Sequence, residues 1–370
     1  MQNDRIINRL YKPVHWMCAG IFCVFTFCYI FFYQSDILAL GQHVLSEGVT
    51  HFNRSVGAVL ITLALYLIHI PIHQLTRLNK RAYALNYFPS LLILAVITDV
   101  SPTIDEGFSF GAWLWVAPLL LVLFVVGAWI LYQLQPYEED FVGIPFLSRP
   151  AWINVATLLL MFLLTGWVSN HNDVFHYRMR METKLLDEQT EEALKVGAKA
   201  EQTNAQLDFL RAFALAKRGE LGERLFDYPL SGDAKAMTLD GKKIKTLQIP
   251  DSVMQQSMTS HVKADMKLSG YLIDRRLDLF AKEVTTIYND STMPRFYREA
   301  MAQYRLQNHV VPVTTQDSVA YYRLTLYRQF MDSISAPPLR LENIARHAIP
   351  HTYLYYYQFA PLLKGKRWQP

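Results

Sequence analysis

The chain has 370 residues, enough for two or three domains, and it is 51% hydrophobic, 13% aromatic and only 18% charged, whereas soluble proteins carry about 25% charged residues. Its charge is divided: residues 1–170 carry a net −1 and residues 171–370 a net +5. A surplus that small over 200 residues excludes a dedicated nucleic-acid surface and leaves a membrane-like first half followed by a mildly basic second half.

The first 13 residues are polar, with Arg5, Arg9 and Lys12, and an apolar run follows over 14–33. It is long for a signal peptide and has no small-x-small cleavage site after it, so it reads as an uncleaved first span. Cys18, Cys23 and Cys28 all lie in this run. Five residues turn a helix by about 140°, so the three thiols diverge and share no metal site or disulfide. The second half has no cysteine, which is compatible with an oxidising compartment.

Further spans are expected over 55–75, 111–134 and 151–168, each with the roughly 20 apolar residues that cross a bilayer, and over 82–98, which is short. Trp16, Tyr33, Tyr87, Trp113, Tyr132, Trp152 and Trp167 sit near span ends, where an aromatic belt places them. With the N-terminus inside, the inner segments hold Arg5, Arg9, Lys12, Arg77, Lys80, Arg81 and Arg149, and the outer loops hold Arg54. This fits the positive-inside rule and puts the second half outside the cytoplasm. If 82–98, which contains Asn86 and Pro89, does not cross, four spans result and the second half lies inside. The five-span reading is preferred because Ser90–Ile97 is too apolar to leave in water.

Two sets of polar residues in this half are candidate sites. His69 and His73 stand four apart on one span and could share a metal, but Pro71 lies between them and no catalytic acid follows. Interfacial histidines are the plainer reading. Asp99, Asp105 and Glu106 form an acidic outer loop. It could serve an enzyme acting on a lipid-linked or envelope glycan, as carboxylates do in polyprenyl-phosphate-dependent glycosyltransferases, or simply be solvated.

The fifth span breaks at Ser169–Asp173 and runs directly into charged helical sequence. Helices are expected over 175–189, 190–200 (with Thr190 as cap), 204–218 (ended by Gly219) and 220–226. Residues 231–270 change character: Asp240-Gly241 lies between short β-capable runs, so a small hairpin or an ordered loop is expected, with Lys242, Lys243 and Lys245 on a solvated face. Helices resume over 271–288, 293–307, 318–333 (capped by Asp317) and 339–347. The terminal segment holds Tyr353, Tyr355, Tyr356 and Tyr357. These could line a partner-binding groove or dock the tail on a membrane with Lys364, Lys366, Arg367 and Trp368. Packing on the preceding helices is the plainer alternative.

Arg211–Leu221 and Glu192–Ala200, with Ala193 and Ala200 at small-residue positions, resemble a tetratricopeptide repeat. The likeness covers about residues 174–230, and Arg224 stands where the next small residue belongs. The spans together with Gly219–Phe226, Met293–Tyr304 and Thr352–Phe359 resemble an uncharacterised membrane-protein family of Bacteroidota. That resemblance implies a multi-pass inner-membrane protein with a helical-repeat region and supplies no catalytic residues.

The expected fold is therefore mainly α: a transmembrane domain over 1–170 and an α-helical, repeat-like domain over 171–370. No phosphate loop, nucleophile motif, metal quartet or dinucleotide fingerprint is visible, and no cofactor is expected. The leading expectation is a membrane-anchored scaffold, in contact with lipid and holding a protein partner at the periplasmic face of the inner membrane. A membrane enzyme using Asp99, Asp105 and Glu106 is the alternative.

Overall fold

The computed structural model describes the chain apart from residues 1, 102–110, 139–144, 201, 232–233, 235–236, 238–245, 290, 309–314, 335 and 361–370. The chain divides into two compact units, Met1–Asn172 and Asp173–Pro370. The described residues are mainly helical and contain no strand.

In the first unit five helical stretches are long and apolar enough to cross a membrane: Tyr11–Leu45, Arg54–Thr76, Lys80–Thr98, Trp113–Tyr137 and Arg149–Val168. The first is longer than the 14–33 expected from the sequence. Helix α1 (Gln2–Cys28) passes through a π-helical turn, Tyr29–Gln34, into α2 (Ser35–Leu45). It stops at Glu47 and Gly48, both at positive φ. Helix α3 (Arg54–Thr76) is capped by Asn53, whose side chain accepts from the backbone N–H groups of Ser55 and Val56. It ends at Arg77 in the left-handed region.

The third stretch begins as a 3-10 helix, Lys80–Tyr87 (8 residues), and continues as α4, Phe88–Thr98 (11 residues). At 2.0 Å per residue the 3-10 part rises about 16 Å, and the α-helical part adds about 16 Å. Together they match the roughly 30 Å hydrocarbon core, although the residue count looks marginal. Its polar residues are also accounted for. This stretch is 67% buried inside the unit, against 6% for the fourth. Asn86 turns inward, donating to the carbonyls of Leu78 (3.2 Å) and Tyr83 (2.8 Å). Ser90 donates to Leu65 O at 2.8 Å.

Helix α5 is Trp113–Leu134 and α6 is Arg149–Val168, the latter capped by the Ser148 hydroxyl. Buried Asn154 of α6 clamps the 3-10 stretch. Its Oδ1 accepts from Ala84 N (2.7 Å), and its Nδ2 donates to Lys80 O (2.6 Å) and Pro150 O (2.8 Å). At this end Lys80 Nζ also donates to Glu138 O, 2.8 Å away. At the opposite end Asn170 N donates to Thr98 O (3.2 Å), Gln34 Nε2 donates to Asn170 O (3.1 Å), and the Tyr29 and Ser169 hydroxyls share a hydrogen bond. Arg54 lies near this second end, against the Phe31 carbonyl and ring.

The second unit is built from short helices: α7 (Asp173–Leu186), α8 (Thr190–Lys195), α9 (Ala205–Lys217), α10 (Leu221–Arg224), α11 (Asp251–Ser257), α12 (Ser260–Ile273), α13 (Leu277–Ile287), α14 (Arg295–Gln307), α15 (Thr315–Ser333), α16 (Pro338–Ala348) and α17 (Tyr353–Phe359). One apolar core joins them, with Leu207, Phe226, Met266, Phe280, Phe296 and Tyr356 at its centre. Three sequence expectations need correction. The 190–200 helix ends at Lys195, because Gly197 takes a φ of +58° and its carbonyl accepts from Arg211 Nη2 at 2.6 Å. The 271–288 helix is two helices, broken at Arg275 with a φ of +57°. The end of 231–270 is helical, since Thr259 caps α12 by accepting from Val262 N at 3.3 Å. The Asp240-Gly241 hairpin and the lysines beside it lie outside the described residues, as does the basic tail after Ala360.

Candidate functional site

A cluster of titratable side chains in the first unit is formed by α1, α3 and the 3-10 stretch. Histidines at positions 69 and 73 lie one turn apart on α3, with parallel rings (2°) and centroids 6.1 Å apart. His15 joins them from α1, 5.7 Å from His73. The 3-10 stretch supplies two tyrosines that stack on these rings: Tyr83 on His15 at 3.7 Å and Tyr87 on His69 at 4.0 Å. His69 is only 4% exposed, and neither of its ring nitrogens has a hydrogen-bond partner in this structure; His15 Nε2 is likewise without one. His73 Nδ1 sits 3.3 Å from Asn86 Nδ2.

Such an arrangement can hold a water on neutral imidazole nitrogens inside an aromatic, apolar enclosure. Among the described residues no group of three or more His, Cys, Asp or Glu side chains is placed to hold one ion. The sequence identified His69 and His73 by spacing. It missed His15, which is remote in the chain, and Tyr83, and it read Tyr87 only as a membrane-interface residue.

The acidic candidates are only partly visible. The Asp99 carboxylate accepts from Trp113 Nε1 at 2.8 Å and so ties the end of α4 to the start of α5. Asp105 and Glu106 lie outside the described residues.

The terminal tyrosines are placed where packing, not a groove, uses them. Tyr353, Tyr355 and Tyr356 are buried at 0, 0 and 2% exposure. Tyr356 donates to Ile273 O at 2.9 Å, and Tyr355 donates to the Glu342 carboxylate. Tyr353 and Tyr356 pack on Phe226 with centroids 5.2 and 4.8 Å away. Only Tyr357 reaches the edge of the unit, where its hydroxyl accepts from Gln307 Nε2 at 2.9 Å. The first three are thus engaged in packing within the unit, as a helix this rich in aromatics gains most by burying them.

Buried charges in the second unit are engaged in holding its chain together. Glu182, fully buried, accepts from Arg178 Nε (2.9 Å) and from the backbone N–H groups of Leu247 (2.7 Å) and Gln248 (2.8 Å). Arg211, 1% exposed, donates to the carbonyls of Gly197 (2.6 Å) and Pro229 (3.1 Å). Asp265 accepts from Tyr288 at 2.6 Å and lies 3.3 Å from His261 Nδ1. Burial pushes the Asp265 carboxyl above its ordinary pKa, against the opposing pull of the Tyr288 hydroxyl and of His261.

The exposed surface of this unit carries a different feature. Val319, Tyr322, Leu326 and Phe330 of α15 are 50, 64, 46 and 49% exposed. Their three- and four-residue spacing puts them on one face of the helix. The opposite face carries Leu324 and Met331, 2 and 5% exposed, and packs inward. Both faces of α15 are therefore apolar, and one of them is open.

Residues 106–248 match a family of unknown function, DUF6057. The match runs from before α5 through α6 into the second unit, and it includes the Glu182 clamp up to Gln248. No curated protein and no solved structure matches the chain.

Proposed function

We propose that this chain is a multi-pass protein of a bacterial inner membrane, with its N-terminus in the cytoplasm. Its second unit, a helical and partly tetratricopeptide-like module on the periplasmic side, holds a protein partner. The observation that carries the binding role is the open apolar face of α15, Val319–Tyr322–Leu326–Phe330. A helix that already packs one apolar face has no structural need for a second. An exposed apolar stripe at helical spacing is what a partner's amphipathic helix recognises.

The sidedness is supported by the segregation of cations in the first unit. Arg77, Lys80 and Arg149 belong to the end marked by Asn154 and Glu138, and Arg54 belongs to the end marked by Asn170 and Thr98. The acidic-loop enzyme reading gains no support from Asp99, which is occupied by Trp113.

A photo-crosslinking residue at Leu326, in the full chain in native membranes, tests the binding role. One protein adduct of constant mass is expected. Combining the probe with Phe330→Asp should weaken that adduct at least about tenfold, since removing a buried aromatic anchor from an interface costs about 2 kcal/mol or more. Because Phe330 is half exposed, the unit stays folded by circular dichroism. Adducts with lipid alone, or an adduct indifferent to Phe330→Asp, would contradict the proposal.

A further inference from the structure

Helix α5 meets α3 and α4 along one edge only, and this leaves a groove of about 520 Å³ on the apolar surface of the first unit. Its walls include Ile72 and Leu75 of α3, Pro89 of α4, and Leu121, Phe124 and Val125 of α5. Ala128, 6% exposed, forms part of its floor, and the ring of Phe124 stacks on Phe88 at 5.4 Å. From Leu121 to Tyr132 the groove follows twelve residues of α5, eleven rises or about 16 Å. That is about half of a roughly 30 Å hydrocarbon core, the depth of one leaflet.

The two ends of the groove differ. The deep end is hydrocarbon throughout. The other is lined by Arg77, Trp129 and Tyr132. Tryptophan and tyrosine mark a headgroup boundary. Arg77 is exposed, and its backbone carbonyl accepts from Asn79 and Gln135. Among the described residues no ion pair or hydrogen bond engages its guanidinium. No carboxylate lines the groove.

We propose that this groove is a binding site for an anionic glycerophospholipid, with one acyl chain along α5 and the phosphate on the Arg77 guanidinium. The inference rests on the reading of these helices as membrane spans, but not on the partner role of α15. A guanidinium presents a planar fork that matches phosphate oxygens. With no carboxylate among the residues that line the groove to receive an ammonium headgroup, the site favours phosphatidylglycerol over phosphatidylethanolamine. A second groove between α1 and α3, about 430 Å³ and lined by residues such as Cys23, Phe27, Leu63 and Tyr66, has no cation. It provides a comparison within the same molecule.

The test uses the full chain, purified in detergent, stripped of lipid and offered an equimolar mixture of phosphatidylglycerol and phosphatidylethanolamine. Native mass spectrometry then counts bound lipid. Phosphatidylglycerol should be retained preferentially. Arg77→Gln should reduce its retention at least about tenfold, as loss of a charge-assisted hydrogen bond implies, and Ala128→Leu should reduce it by filling the floor. Arg54→Gln, which removes a cation from the other end of α3, should leave it unchanged. A readout that needs no variant is a phosphatidylglycerol with a photoreactive group on its acyl chain, which should label peptides within 121–132. Equal retention of the two lipids, an Arg77→Gln variant that binds like the wild type, equal loss from Arg54→Gln, or labelling confined to the α1–α3 groove would each overturn the proposal.

Discussion

Single side chains carry much of the second unit's cohesion. Glu182 holds two backbone N–H groups and Arg178 at once, all within 2.9 Å. Removing one partner of a buried ionic cluster costs about 3–5 kcal/mol, because the groups left behind lose both their partner and water. Glu182→Ala should lower the unfolding free energy by that amount in denaturant titration; a loss below about 1 kcal/mol would contradict this account. Asp265 gives a pH dependence with a definite sign. Its native pKa is raised by burial, so the stabilisation linked to its protonation is complete below the unfolded pKa near 4 and is lost as pH rises through the native value. Asp265→Asn cannot ionise. Its midpoint of unfolding relative to wild type should therefore improve between pH 4 and pH 7, and a relative decline would mean the carboxylate is stabilised by its neighbours. Neither residue is distinguishable in the sequence. Glu182 meets Leu247 across 65 positions, and nothing local marks that pairing.

At the scale of elements, periodicity revealed most helices but not their breaks. Gly197 and Arg275 each take a left-handed conformation. A glycine at such a point is readable in principle, whereas at Arg275 the turn is closed by Arg276 N donating to Tyr271 O at 2.8 Å, which the residue type does not announce. The third apolar stretch shows the limit of counting residues. By residue count it is short and polar, whereas its first eight residues form a 3-10 helix with a larger rise and Asn86 and Ser90 hydrogen-bond inside the unit. Asn154 fixes that segment, satisfying one N–H and two carbonyls. Asn154→Ala leaves buried backbone groups unmet at about 1–3 kcal/mol each. It should lower the melting temperature of the detergent-solubilised protein, while Trp152→Ala, at an exposed position on the same helix, should not. The tyrosine-rich terminal helix offers binding and packing readings, and Tyr353, Tyr355 and Tyr356 are buried in the unit. The exposed stripe of α15 went unread, because an amphipathic pattern alone does not say which of two apolar faces is covered.

For the whole molecule, the division into an apolar unit and a charged one was legible from composition, and the boundary at Asn172–Asp173 falls where the apolar sequence ends. The histidine–tyrosine cluster was legible only in part, since His15 reaches His73 through folding and not through spacing. The proposed topology has five spans, an N-terminus inside and a second unit outside the cytoplasm. In a variant lacking Cys18, Cys23 and Cys28, a single cysteine replaces either Lys12 or Lys282, both exposed. Spheroplasts of a Gram-negative host are then treated with a membrane-impermeant maleimide. The five-span account predicts that Lys282→Cys is labelled in intact spheroplasts and Lys12→Cys only after lysis. Labelling of both only after lysis would mean four spans and a cytoplasmic second unit, and would contradict it.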